Sequence, residues 1–427
     1  MKKNSLVLLM MFSVFLSDAQ ELVQSYYYTD DYSIIPKMVL ERENDNVIAY
    51  SITKNEEKKA GVLYINKDNT IKDAMLFQGA DNYVINEIIE ADNGNLLISA
   101  EGYSAEGQES LYFIELGDNE IVNEFVFNEN GNELDPFAIL EIEDNILIGG
   151  FIKSRELISN SFYNMYTETQ MIYVAKFTKS GEKIWSKGIE LDGYEKGICN
   201  SMVKVKDGIV LLCHANKIGE NMSPFLIKID SEGNVKNTIQ LYNDKFITIG
   251  SVLRISEDLI ELIGSYSFTD KHFLFSALFS SNLVLVKSSE YQVPYRLMIN
   301  GITNGANIYG AVLKGEGGYN NAIIKKENDG YSFFEFGTIK SDFIVGLSEN
   351  TIFSYSFGSS SEHASTINFM KNDLKVQTKK LEKVENRLET NDEFKINYQT
   401  AFIKSNINTG VGKLKIVPVR NNLKNAL

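Results

Sequence analysis

The chain has 427 residues and a formal net charge of −15, with 5 Pro, 2 Cys and 1 Trp. So large an excess of acid disfavours phosphate backbones and anionic membrane surfaces, and nucleic acid is set aside as a partner. Two cysteines are too few for a disulfide-built scaffold.

Residues 1–19 read as a signal peptide. Lys2 and Lys3 form a basic n-region, residues 6–16 are an apolar h-region, and Ser17-Asp18-Ala19 puts small residues at −3 and −1. The apolar stretch falls short of the roughly 20 residues that span a bilayer. Cleavage after Ala19 is expected, leaving Gln20 first, with no membrane insertion afterwards. The protein is then secreted, to the extracellular space, the cell surface or the periplasm. Loss of two Lys and one Asp takes the charge from −15 to −16.

The best-formed stretch is 171–191, MIYVAKFTKSGEKIWSKGIEL. It reads as strand, turn, strand, with Gly181 supplying the positive φ a short hairpin loop needs. Weaker copies recur along the chain. A first hairpin turn falls at Asp45-Asn46, Asn93-Gly94, Asp144-Asn145, Asp207-Gly208, Glu257-Asp258, Gly305-Ala306 and Glu349-Asn350, with intervals of 48, 51, 63, 50, 48 and 44 residues. A second series keeps step at Asp68-Asn69, Asp118-Asn119, Ser180-Gly181, Glu232-Gly233, Ser281-Asn282, Asp329-Gly330 and Asn372-Asp373. The strands between them are nearly continuous apolar runs, such as Ile209-Val210-Leu211-Leu212, which suits strands covered on both faces. Four strands per period of about 50 residues is the mark of a β-propeller.

The motif Asp-Gly or Asp-Asn, apolar run, Gly, variable loop, aromatic-apolar-Lys-apolar, Ser-x-Gly-x, apolar-Trp resembles the repeats of secreted bacterial β-propeller proteins. It is best matched by 145–153 with 173–185, and by 207–215 with 225–235. The resemblance covers about 30–380 and implies architecture, since that family is functionally mixed. Pyrroloquinoline-quinone propellers carry a Trp in most blades, whereas Trp185 stands alone here, and no cofactor is expected. The Ser-x-Asp-x-Gly-x-Thr-Trp box of sialidase-like propellers lacks its Asp at 177–182. The expected fold is all-β: a seven-bladed β-propeller of four-stranded antiparallel blades over 20–380, with 381–427 as C-terminal strands packing on or closing the ring.

Both chain ends bear on closure. Residues 21–28 are strand-like and are expected to pair with the last blade or with the C-terminal strands, because an open ring would expose edges. Residues 371–427 hold 12 Lys/Arg against 6 Asp/Glu, fitting either a docking or sorting tail or a closing element packed on the ring. Within them 379–388 reads as a short helix or a charged outer strand, and 394–403 and 411–419 as two strands. Cys199 and Cys213 flank the Asp207-Gly208 turn. A two-residue loop there puts the thiols on opposite faces, and a bulge would bring them to one face. Two buried free thiols are expected.

Few residues carry chemistry. His214, His272 and His363 fall in different repeats with no second ligand at a suitable spacing, so no metal site is expected. No nucleophile elbow, Walker loop or His-Glu-x-x-His motif occurs. Function is therefore placed on one rim, where second-to-third-strand connections and blade-to-blade connections lie. The longest connection, 154–170, has 17 residues and contains Phe162, Tyr163 and Tyr166. Neighbouring connections add Tyr103, Tyr194, Tyr266 and Tyr319. An aromatic rim suits stacking on sugars or anchoring a peptide. The leading expectation is a secreted binding protein for a protein or glycan ligand. The alternatives are a polysaccharide hydrolase or lyase using Asp81, Asp135, Asp192 or Glu195, and a structural cell-surface protein.

Overall fold

The computed structural model describes residues 22–425 apart from 29–32, 55–56, 79–80, 104–108, 119, 128–131, 160–163, 218, 243–246, 269, 304–306, 314–318, 336–341, 358–364, 372–378, 385–388, 392–395, 398–414 and 419–422. The predicted signal segment lies outside the described residues. Every regular element among those described is a β-strand. The described strands build six sheets, and antiparallel pairing groups twenty-eight of them in fours, the third and fourth groups joined into one sheet by a parallel pair at Gln170 and Lys196; each group of four is called a unit. Units one to six occupy residues 33–78, 81–127, 132–191, 196–242, 247–293 and 296–335 in unbroken strand order. Unit seven combines Asp342–Leu347, Thr351–Phe357 and Ser365–Lys371 with Leu22–Tyr28 from the other end of the chain.

Apolar residues fill both faces of these sheets. Val47, Ile48, Ala49 and Tyr50 are consecutive and each is 0% exposed, so the strand they form is covered above and below. Ile48 and Tyr50 join a core shared with unit seven, while Val47 and Ala49 join one shared with unit two. The same division repeats at every junction, from the unit two–three core through to the unit six–seven core. Alternation along a strand here separates two neighbours, not core from solvent.

In units one, three, four and five the turns joining third to fourth strands share a left-handed residue: Asn69, Gly181, Gly233 and Leu283 at φ 68°, 89°, 77° and 63°. Each closes a backbone hydrogen bond to the residue three earlier, and the register slips there as in a type I turn with a bulge. Gly233 has a second reason to be glycine. A Cβ there would lie 2.8 Å from the ring of Trp185 in unit three, whose Nε1 donates to the Ser231 carbonyl at 3.0 Å. The single tryptophan thus wedges the outer strand of one unit under the turn of the next.

A second repeated feature escaped the sequence pattern. The first, innermost strand of every unit contains a bulge, at Lys37, Asn86, Phe137, Asn200, Gly250, Asn300 and Val345, and that of unit two has a further register shift between Asp81 and Val84. It corrects the cysteine expectation. The hairpin loop in unit four is Lys206-Asp207, one residue earlier than expected, and the bulge at Asn200 shifts the register again. Cys199 therefore stands directly opposite Cys213 on one face, and both are buried free thiols.

Units seven and one close on each other. Tyr50 and Phe353 share a core, Thr351 Oγ1 donates to Asn69 Oδ1 at 2.7 Å, and the Glu349 amide donates to Glu41 Oε1 at 3.0 Å. Strand Leu22–Tyr28 pairs with Ser365–Lys371 on one side and with Leu423–Asn425 on the other.

The C-terminal residues run round the outside. Lys379–Lys380 pairs with the outer strand of unit six, Glu382–Val384 with unit five, Glu389–Asn391 with unit four and Ile396–Asn397 with unit three. Lys415–Pro418 then pairs with unit one and Leu423–Asn425 with unit seven. Of the two readings of 379–388, the outer strand is the one that Lys379–Lys380 and Glu382–Val384 adopt, while 385–388 lie outside the described residues. Each piece is two to four residues long and caps an edge that would otherwise be open to another chain. The sequence of this region, the belt, is basic, +6 over 371–427, against −21 for the rest of a chain totalling −15.

Truncation after residue 378 is expected to lower the melting temperature by several degrees and to produce concentration-dependent association. Thermal denaturation and light scattering check this; an unchanged, monomeric truncation would show that the belt guards nothing.

Candidate functional site

Unit three departs most from its siblings. Its second and third strands, Asn145–Ser159 and Asn164–Thr178, have 15 residues each, while the longest second strand elsewhere has 10. Their register is unbroken from Asn145↔Thr178 to Ser159↔Asn164. The expected 17-residue connection at 154–170 is therefore mostly a two-stranded arm, and only 160–163 joins its strands. The residues explain it. No Gly or Pro interrupts 151–178, so nothing ends the strands, and the register sets Arg155 opposite Glu168 and Leu157 opposite Tyr166, pairings that favour a ladder.

The predicted rim aromatics separate into different environments. Phe162 and Tyr163 lie outside the described residues. Tyr166 sits in the arm opposite Leu157, and Tyr319 begins the third strand of unit six opposite Leu313. Tyr103 ends the second strand of unit two and is 42% exposed. It lies on the same rim as the arm, which grows from the equivalent end of unit three.

Tyr194 is only half-exposed. The edge of Phe225 meets its ring at 5.1 Å, the Lys217 ammonium lies 5.1 Å from its centroid, and Gln240 Nε2 donates to its hydroxyl at 2.8 Å. Tyr266 corrects the sequence reading outright. It is 3% exposed, stacks on Phe273 at 4.9 Å and donates its hydroxyl to buried Glu290 at 2.6 Å. Its strand continues to Phe268, so a position assigned to a connection lies inside the sheet.

The acids considered for catalysis come from three parts of the chain. Asp81 opens unit two opposite Tyr103, Asp135 lies opposite Phe151 within unit three, and Asp192 and Glu195 are exposed on the link to unit four. Among the described residues no three His, Cys, Asp or Glu side chains converge as metal ligands.

Two titratable groups that the sequence reading left aside sit at the inner-strand bulges. Glu87 follows the bulge of unit two, where units three to seven carry Ala138, Ser201, Ser251, Gly301 and Gly346. Its carboxyl accepts the Ile139 amide of unit three, and enclosure of the carboxyl raises its pKa from 4.5 to about 8, the amide opposing. His214 lies beside the bulge of unit four. Its Nδ1 pairs with Asn200 Oδ1 at 2.6 Å, and burial lowers its pKa to about 4. A bulge frees one residue from the ladder, and Asn200 uses that freedom to hold the imidazole. The clue to Glu87 was a carboxylate at a position elsewhere held mostly by small residues.

No protein-family model matches the chain, and no curated protein matches it. Among solved structures it is similar to the CNH domain of AfRom2, with 10% identity, 82% of this chain and 97% of that one covered, and a TM-score of 0.38. The NanB sialidase from Streptococcus pneumoniae gives 11% identity, coverage of 85% and 72%, and a TM-score of 0.37. A subtype N11 neuraminidase-like protein of A/flat-faced bat/Peru/033/2010 gives 8% identity, coverage of 83% and 98%, and a TM-score of 0.36. At such scores the likeness carries nothing about the chemistry of this chain.

Glu87 sets a pH dependence. Its proton is held more tightly in the folded state, so its contribution to stability is complete below about pH 4.5 and is lost as pH rises through about 8. Glu87→Gln should match the parent near pH 4.5 and become the more stable form as pH rises, by on the order of 4 kcal/mol above pH 8. Denaturant unfolding across pH 4–9 checks this; a constant difference would show an ionised Glu87 throughout. His214 acts in the opposite sense, its contribution complete above about 6.5 and lost as pH falls through about 4.

Proposed function

We propose that the chain is a closed seven-bladed β-propeller that is exported after loss of residues 1–19 and binds a protein or glycan ligand through one rim. The arm of unit three carries this reading. Its strands outrun every equivalent strand by at least five residues, 15 against 10 or fewer. Ring closure does not require the extension, because units of ordinary length close equally well. The arm grows from the rim where Tyr103 of the adjoining unit is exposed, and its sequence includes Phe162, Tyr163 and Tyr166. Aromatic residues grouped this way supply contact area at small entropic cost, and a few of them carry most of the affinity at a binding surface. The two strand edges of the arm also offer unpaired backbone groups to an extended peptide.

Replacing 155–168 by an Asn-Gly turn joins Ser154 to Thr169, which are already paired. The shortened protein is expected to keep its melting temperature within a few degrees, since closing a shorter loop is entropically no worse. Binding of the partner found on glycan or protein arrays is expected to vanish. Unfolding or aggregation of the variant would place the arm in the core, and undiminished binding would place the site elsewhere.

A further inference from the structure

A cleft of about 430 Å³ lies between units five and six, away from the arm. One wall is the face that unit five turns toward unit six. The register sets Glu261, Leu278 and Lys287 in one row across that face, and Ile263, Ser276 and Ser289 in the next. Leu274, Tyr291 and the belt residue Lys383 form a third row. The opposite wall is the hairpin at 326–331 of unit six.

The polar groups in this cleft are unequally satisfied. Glu261, almost wholly buried, accepts Ser276 Oγ and Lys326 Nζ, each at 2.6 Å. The Tyr331 hydroxyl is buried without a hydrogen bond of good geometry. It interacts with Ser276, whose own proton already goes to Glu261. Burial, reinforced by the Glu261 charge, holds the Tyr331 phenol above its ordinary pKa, so it stays a proton donor. Lys287 and Lys383 line the cleft, are exposed, and have no ion pair among the described residues. The Tyr291 and Tyr331 rings meet edge to face at 5.1 Å and form the apolar floor.

Those groups match one kind of ligand. Two unpaired ammonium groups suit a carboxylate, which a neutral sugar lacks. A buried phenol, the Ser289 hydroxyl and the rim carboxylate of Asp329 suit a set of ligand hydroxyls, which a simple anion lacks. The tyrosine floor suits the C–H face of a pyranose ring. The volume falls in the range of small-molecule sites. We propose that the cleft between units five and six binds a carboxylated sugar, its carboxylate held by Lys287 and Lys383 and its hydroxyls by Tyr331 and Asp329. Because Lys383 belongs to the belt, ligand in the cleft also pins the belt to unit five.

The test is a titration of the full chain with D-glucuronate, followed by calorimetry and saturation-transfer NMR, with D-glucose and acetate as parallel arms. Saturable glucuronate binding is expected, with glucose and acetate each at least about tenfold weaker. Lys287→Ala with Lys383→Ala alters exposed side chains, and this double variant is expected to weaken glucuronate about tenfold without changing the melting temperature. Tyr331→Phe removes one hydroxyl and should weaken both glucuronate and any residual glucose binding. The arm-shortened protein should bind glucuronate as the parent does, so failure of the arm and failure of the cleft are read separately. Absence of saturation, parental affinity in the double lysine variant, or acetate binding as tightly as glucuronate would each overturn the proposal.

Discussion

Every sheet in this molecule is apolar on both faces, and the architecture is the response to that constraint. A two-layer sandwich satisfies one face per sheet and leaves the other wet. Here Ile48 and Tyr50 face one neighbour while Val47 and Ala49 face another, so each unit needs two partners and no unit can stand at an end. The row of sheets must therefore meet itself. Where it does, unit seven borrows its outer strand from the start of the chain, and the contacts between Asn69 and Thr351 and between Glu41 and Glu349 lock the seam. Stability is consequently shared around the ring, with one core at each junction and no dominant centre.

Much of this was legible in the residues. Two turn series in step gave the units, because Asn and Gly mark left-handed positions that the fold uses repeatedly. Leu283 shows the limit of that signal. It occupies the same left-handed position as Gly181 and Gly233, and a bulky residue is tolerated there because it is buried in the unit four–five core. Burial of a leucine, about 1.5–3 kcal/mol, outweighs the roughly 1–2 kcal/mol cost of the conformation. The inner-strand bulges were invisible for another reason. A bulge changes register without requiring a particular residue, and Lys37, Asn86, Phe137 and Val345 share no chemistry. The thiol pair of unit four depended on one such bulge and on a turn displaced by one residue, which is why alternation alone put Cys199 and Cys213 on opposite faces.

The binding residues were harder to read than the fold because tyrosine serves both core and surface. Tyr103 and Tyr266 each lie in the second strand of a unit, yet one is exposed and the other stacks within a core. What distinguishes them is how far the strand continues and whether a buried acceptor such as Glu290 waits for the hydroxyl. Neither is written in the local sequence. The cleft between units five and six is still less legible, since its groups come from several strands of two units and from Lys383 of the belt, more than 50 residues further on.

The belt also orders events in time. It meets the units in descending order, six, five, four and three, before reaching one and seven. Strand Leu22–Tyr28 emerges early in synthesis but pairs with residues 366–370, more than 300 positions later. At about 5–20 residues per second, that strand waits tens of seconds with both edges open. The belt follows the units in the chain and can settle only on units that already exist. Units one to six can therefore form progressively as the chain grows, whereas the seam and the belt wait for residues beyond 365. Contacts of such long range slow the final step, so the interval before closure is when this chain is most exposed to wrong partners.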